Sequence, residues 1–258
     1  MAGLKALSPG VEFHGIGGPL MQAEGMVSLF PMEELSIMGL VEVLPKYRAL
    51  KRRIAEAAAD VLAAQPAALI TIDSPDFCLR VAALVKQSRP DLRTIHYVAP
   101  SVWAWRPGRA AKMARHIDHV LALLPFEPPY MQAAGMTCDF VGHPVVSEPL
   151  ASPEERAVMV GEGPLLLALP GSRKGEVSRL CPVFGATIAR LKAQHPTLRV
   201  ALPTVRGVEP LVRDLTRDWA VAPQIITDTA QKRAAFAMAD VALAASGTVS
   251  LELAANAC

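Results

Sequence analysis

An α/β chain of two domains, each a parallel sheet with helices on both faces, is predicted by three observations. Apolar residues make up 52% of the side chains but aromatics only 5%, the balance that helices packed on a buried parallel sheet require. Short apolar runs rich in β-branched residues alternate with longer segments of helical period. The length of 258 residues suffices for two domains of ordinary size.

In chain order, strands are expected at 11–14, 67–72, 93–98, 118–124, 138–141, 164–169, 198–202, 223–226 and 239–244. Helix-period segments such as 76–89 and 176–193 lie between them, with Pro and Gly at the junctions. Around "GHPVVSEPLASPEER", residues 142–156, the apolar pattern lapses and then restarts. A boundary there divides the chain into domains 1–145 and 146–258. Open α/β sheets bind ligands beyond the C-terminal ends of their strands. The loops after Ile72, Leu169 and Ala244 are therefore where chemistry is expected.

Composition excludes several classes. A formal net charge of +2 argues against a general nucleic-acid binder, which calls for a strongly basic domain. Cys78, Cys138, Cys181 and Cys258 form no Cys-x-x-Cys pair, so neither a zinc knuckle nor a disulfide framework is expected. His116 and His119 flank Asp118 without a third placed ligand. No run approaches the roughly 18 apolar residues of a membrane span, and no leader pattern opens the chain. The expectation is a cytoplasmic protein, soluble or peripheral on a membrane. "SLELAANAC" stops in mid-helix pattern without a cap, so a fragment is expected.

The first candidate loop is "LITIDSPDFCLR", residues 69–80. Ser74 suits a helix N-cap, Pro75 the first helical position, and Asp76 the positive end of the helix dipole. Asp73 is left over, at a point where a carboxylate could accept a proton from a substrate hydroxyl or simply bond loop amides. In "LLLALPGSRKGEV", residues 165–177, Gly171 permits close backbone approach, Ser172 offers donors, and Arg173 carries a fork that matches phosphate oxygens. The alternative is a solvated turn with a surface Arg. "ADVALAASGTVSLELA", residues 239–254, repeats the design with Ser246, Gly247 and Thr248 at a helix start. Glu252 follows one turn on, where it could bond the hydroxyls of a ribose or be an ordinary surface Glu.

Other stretches are less specific. "FHGIGGPLMQAEG" lacks the glycine spacing of a dinucleotide fingerprint, and His14 there could act in acid-base work but reads most simply as a satisfied structural residue. "HYVAPSVWAWRPGR", residues 96–109, sets Ser101, Trp103, Trp105, Arg106 and Arg109 together, suited to sugar and phosphate contacts or to plain packing of the indoles. The segment 33–53 is apolar through Leu44 and then carries Lys46, Arg48, Lys51, Arg52 and Arg53. That pattern fits an anionic membrane surface or a buried helix followed by a solvated one.

Taken in order, "GIGGPLMQAEG", "MEELSIMGLVEVL", "IDSPDF", "HYVAPSVWAWR", "LPFE", "FVGHP", "LPGSR" and "ASGTVSLE" resemble the lipid-A-disaccharide synthase family of inverting glycosyltransferases. The resemblance implies a GT-B fold of two Rossmann-like domains, the first serving the acceptor and the second the nucleotide sugar. It implies transfer from UDP-diacylglucosamine to the primary hydroxyl of a monophosphorylated diacylglucosamine (lipid X), with release of UDP. Asp73 matches the family's general base, Arg173 its phosphate-binding loop, and Ser246, Gly247, Thr248 and Glu252 its nucleotide segment. The apolar and basic stretch matches a membrane-facing region, at the inner face of the inner membrane. An inverting transfer needs one base and no covalent intermediate, so no cofactor or metal is implied, and no Asp-x-Asp motif is present.

Relative to the family pattern, the first strand with its Ser-Gly-Glu-x-Ser-Gly-Asp loop and the end of the nucleotide domain are missing from this sequence. Other readings stay open at this point. They are a different GT-B UDP-sugar enzyme, such as an epimerase or another lipid glycosyltransferase, and a non-catalytic nucleotide- or lipid-binding fragment; a homodimer is also left open.

Overall fold

The computed structural model describes residues 1–35, 40–245 and 247–256, without the side chains of 33 and 40–47. It comprises two compact units, Met1–His143 and Pro144–Cys258. Ser246, Cys258 and much of the apolar part of segment 33–53 lie outside the described residues.

The first unit holds strands β1 (Ala68–Ile72), β2 (Arg93–Tyr97), β3 (His119–Ala122) and β4 (Thr137–Phe140), in spatial order β1-β2-β3-β4. The second holds β5 (Leu165–Leu169), β6 (Arg199–Pro203), β7 (Gln224–Ile226) and β8 (Val241–Ala244), in order β7-β6-β5-β8. Every pairing among these strands is parallel. Such pairs need crossovers, which the intervening helices supply.

Strand β5 shows why both sheet faces are covered. All five of its residues are buried. Leu166 and Ala168 join one apolar cluster with Val177, Phe184 and Ile188, whereas Leu165, Leu167 and Leu169 join another with Ala234, Ala235 and Phe236. Successive strand side chains point to opposite faces, so a continuous apolar run is what a two-sided core requires. The first unit is likewise served by two clusters, one around Met113, Val120 and Met131, the other around Ile54, Phe77 and Val85.

The expected strand at 11–14 is not formed. Its neighbourhood offers only an isolated bridge between Gly15 and Ser28, and His14 is instead tied through Nε2 to Asp60 at 2.9 Å. Polar pairing with a helix has replaced a ladder for which the described residues provide no partner strand.

Glu127 fixes the exit from β3. Its side chain is buried, and one carboxylate oxygen accepts the backbone N–H groups of Leu123 at 3.1 Å and Leu124 at 2.9 Å. Replacing it by Ala strips two part-buried amides of a charged acceptor, and a loss of about 2 kcal/mol of stability is expected. Thermal denaturation of Glu127→Ala and Glu127→Gln checks this, the Gln variant losing less because an acceptor oxygen remains.

Candidate functional site

Each unit carries a candidate site at the C-terminal ends of its strands. In the first, the parallel register sets Ile72 against Tyr97, and Asp73 N–H donates to the Tyr97 carbonyl at 2.9 Å. That bond draws the Asp73 loop beside the segment that follows β2. The loop is strained: Asp73 and Ser74 have φ of +47° and +44°, Val98 across from them +82°, and Arg106 +53°. Non-glycine residues in this region cost of order 1–3 kcal/mol each and gather where a site dictates the backbone. Only one further described non-glycine residue, Gln65, has a positive φ.

The left-handed turn corrects the expected role of Ser74. It occupies the N-cap position of helix Pro75–Ser88, yet its side chain makes no capping bond, since that bond needs an extended cap residue. Pro75 and Asp76 stand in the first turn as expected. Asp73 is exposed and lines a cavity of about 230 Å³ with His96, Val98, Ser101, Trp105 and Arg109.

His96 is a residue that the sequence reading passed over. Its ring is 1% exposed, and Nδ1 lies 2.7 Å from the hydroxyl of Thr71. Burial lowers its pKa to about 4 from 6.5, opposed by the nearby charge of Asp73. The folded ring thus refuses a proton that the unfolded chain accepts between pH 6.5 and about 4. Stability linked to His96 is full above pH 6.5 and falls by about 3 kcal/mol as the pH drops to 4. Urea unfolding at pH 7.5 and 4.5 should show this fall, and His96→Asn, which can keep a partner for Thr71, should largely remove it. Cys78 stays a thiol: burial raises its pKa to about 11, its bond to the Ile72 carbonyl opposes this, and the Asp73 charge adds to the rise.

The aromatic segment is not simple core. Trp103 and Trp105 are 43% and 53% exposed. Trp103 meets Phe126 edge to face, with centroids 5.1 Å apart. Trp105 carries two guanidinium groups on its ring, Arg106 at 4.3 Å and Arg109 at 5.5 Å. Asp73 and Ser101 therefore share one cavity, Arg106 lines an adjoining one of about 650 Å³, and Trp103 stands apart from both linings.

In the second unit β5 and β8 are direct neighbours, and the Ala245 N–H donates to the Leu169 carbonyl at 2.9 Å. The sheet thereby sets the Gly171–Arg173 loop alongside the Gly247–Thr248 loop. Gly171 has φ +110°, and a Cβ there would lie 2.8 Å from the Cβ of Glu176, so only glycine fits without strain. Arg173 occupies the N-cap position of helix Lys174–Gln194 without a side-chain cap, which leaves first-turn amides available to an anion.

Glu176 is the second residue the sequence reading missed. Its carboxylate accepts from Ser172 N–H at 3.2 Å and from Arg173 Nη1 at 2.6 Å. An acidic residue three positions after Arg173 was the available signal. Thr248 starts helix Val249–Ala255, also without a side-chain cap. Glu252 in that helix's first turn pairs with Lys232 at 2.8 Å rather than standing free.

The family model described as lipid-A-disaccharide synthetase matches residues 1–258. The lipid-A-disaccharide synthase of Ruegeria pomeroyi is 62% identical, across 99% of this chain and 67% of that protein. That of Rhodospirillum centenum is 47% identical, across 98% and 65%. The chain spans about two thirds of the length of these curated relatives. Among solved structures, S. aureus MnaA with UDP aligns at TM-score 0.60 and 10% identity, covering 88% of this chain and 63% of that one. A Neisseria meningitidis UDP-GlcNAc 2-epimerase bound to UDP-GlcNAc gives 0.61 and 11%, covering 88% and 66%. At such identities the likeness concerns fold alone, and that fold is GT-B.

Proposed function

Because the chain belongs to the lipid-A-disaccharide synthetase family, we propose that it forms the acceptor side and part of the donor side of an inverting hexosyltransferase. The reaction joins the primary hydroxyl of lipid X to the anomeric carbon of UDP-2,3-diacylglucosamine, yielding a lipid A disaccharide 1-phosphate and UDP. The position of Asp73 carries the mechanism: a carboxylate on a strained turn lining a cavity, with nothing at the start of helix Pro75–Ser88 requiring it.

In this reading Asp73 takes the proton of the acceptor hydroxyl as that oxygen attacks the face opposite the departing UDP. Negative charge grows on the diphosphate as the glycosidic bond breaks. Arg173 and the amides at the start of helix Lys174–Gln194 meet that charge, together with the Gly247–Thr248 turn, and so favour the transition state over the ground state. Ser246 belongs with that turn by its place in the sequence. Glu252 serves the ribose hydroxyls, which requires it to share or release Lys232. Ser101, Trp103 and Arg106 flank the acceptor.

The protein works at a membrane surface from the cytoplasmic side, where its acylated substrates reside. We read the contact as peripheral; among the described residues no helix is long and apolar enough to cross a membrane. Arg48, Lys51 and Arg52 are exposed on helix Leu40–Ala64 and offer cations to anionic headgroups. Arg53 does not: it is held by Glu34 and Glu56 at 2.8 and 2.7 Å and lies over the Phe30 ring.

The test is product analysis with UDP-2,3-diacylglucosamine and lipid X. Equimolar disaccharide 1-phosphate and UDP are expected. Epimerised donor with no disaccharide would replace this reading by a UDP-sugar epimerase.

A further inference from the structure

The larger cavity of the first unit, about 650 Å³, is lined by Arg80, Arg106, Arg109 and Lys112 against one carboxylate, Asp76. Four cations converging on one concavity repel each other, and the fold gains little from them. Among the described residues Arg80, Arg106 and Lys112 form no ion pair, and Arg109 reaches Asp76 only at 3.9 Å. Two of the four are nevertheless held in place, because Arg106 and Arg109 both stack on the Trp105 ring. Arg106 also keeps its left-handed backbone there, at φ +53°. A strained, preoriented set of like charges is what a bound anion would explain.

Pro75, Pro100 and Arg109 line both this cavity and the smaller one that contains Asp73. A ligand bridging the two presents its anionic end to the cations and another end to the carboxylate. Cavities of this size hold sugar-sized molecules. The primary hydroxyl and the anomeric phosphate of a hexosamine 1-phosphate lie at opposite ends of its ring.

We propose that the Arg80–Arg106–Arg109–Lys112 cavity is the subsite for the acceptor's phosphate, and that it selects a monophosphorylated sugar by that group. The identity of the acceptor rests on the transferase reading above; the anion specificity rests on the cavity itself. Arg106 and Arg109 supply the oriented forks, and Arg80 and Lys112 add charge from the exposed rim.

Titration of the full chain with glucosamine 1-phosphate, inorganic phosphate and glucosamine, followed by NMR, tests this directly. Glucosamine 1-phosphate should bind and be displaced by inorganic phosphate, and glucosamine should not bind. The double variant Arg80→Ala/Lys112→Ala, two exposed positions, should weaken sugar phosphate binding at least about tenfold, as expected when about 1.4 kcal/mol or more of attraction is lost, while UDP affinity is kept. In transfer assays on the full-length gene product, its preference for a phosphorylated over an unphosphorylated acceptor should collapse. Equal binding of glucosamine and its phosphate, unchanged affinity in the double variant, or a parallel loss of UDP affinity would each overturn the subsite. Failure of the transferase reading looks different: no disaccharide forms, while sugar phosphate binding still depends on Arg80 and Lys112.

Discussion

Asp73→Asn is expected to lower the rate of sugar transfer by about 10²- to 10⁴-fold, the usual contribution of a positioned general base, with UDP binding unchanged. The amide is nearly isosteric and can keep the turn, whose anchoring bond is the backbone N–H to the Tyr97 carbonyl. Only the ability to take a proton is removed. Disaccharide formation and UDP titration on the full-length gene product separate the two quantities. Unchanged turnover would remove Asp73 from the role of base, and loss of UDP affinity would show that the substitution disturbed more than the acceptor side.

Arg173→Ala should reduce kcat by about 10²- to 10³-fold, the effect of deleting one group that stabilises developing charge, and should also weaken UDP binding. Arg173 is exposed and pairs with the carboxylate of Glu176. Arg173→Lys restores the charge without the planar fork, so recovery is expected to be incomplete. Steady-state kinetics with varied donor check the split, since a purely structural role would lower stability and leave the ratio of Arg, Lys and Ala activities flat.

Much of the architecture could be read from period and punctuation. The eight parallel strands end within two residues of the expected runs, and the clearest of them, β5, is buried on both faces and so continuously apolar. The run at 11–14 had strand-like residues but no neighbour, and pairing is not visible in a local pattern. Neither spatial strand order, nor therefore the adjacency of the Arg173 and Thr248 loops, could be read from the sequence.

Candidate residues were legible where a residue had no local duty. Subtracting helix-start chemistry isolated Asp73. It did not reveal that Asp73 and Ser74 are left-handed, nor that Trp105 is an exposed platform for Arg106 and Arg109. His96 and Glu127 were hidden for another reason. They act as buried polar groups, and only the fold shows which amide or hydroxyl faces them. His119 is similar: it bonds Thr137 at 2.7 Å, while the intervening Asp118 is taken by Lys86 and Thr94.

On the proposed reading, Glu176 gives the Gly171–Arg173 loop an occupant before any nucleotide arrives. Its carboxylate already gathers the Ser172 amide and the Arg173 guanidinium. A diphosphate entering there exchanges one anion for another rather than adding an ion pair. Few small ions are then released, and the affinity of this loop should respond weakly to added salt. The four-cation cavity of the other unit has a single carboxylate as counterweight and should respond steeply. If the two proposed sites hold the donor and the acceptor, ionic strength would act unevenly on them, shifting the apparent affinity for the acceptor more than that for the donor.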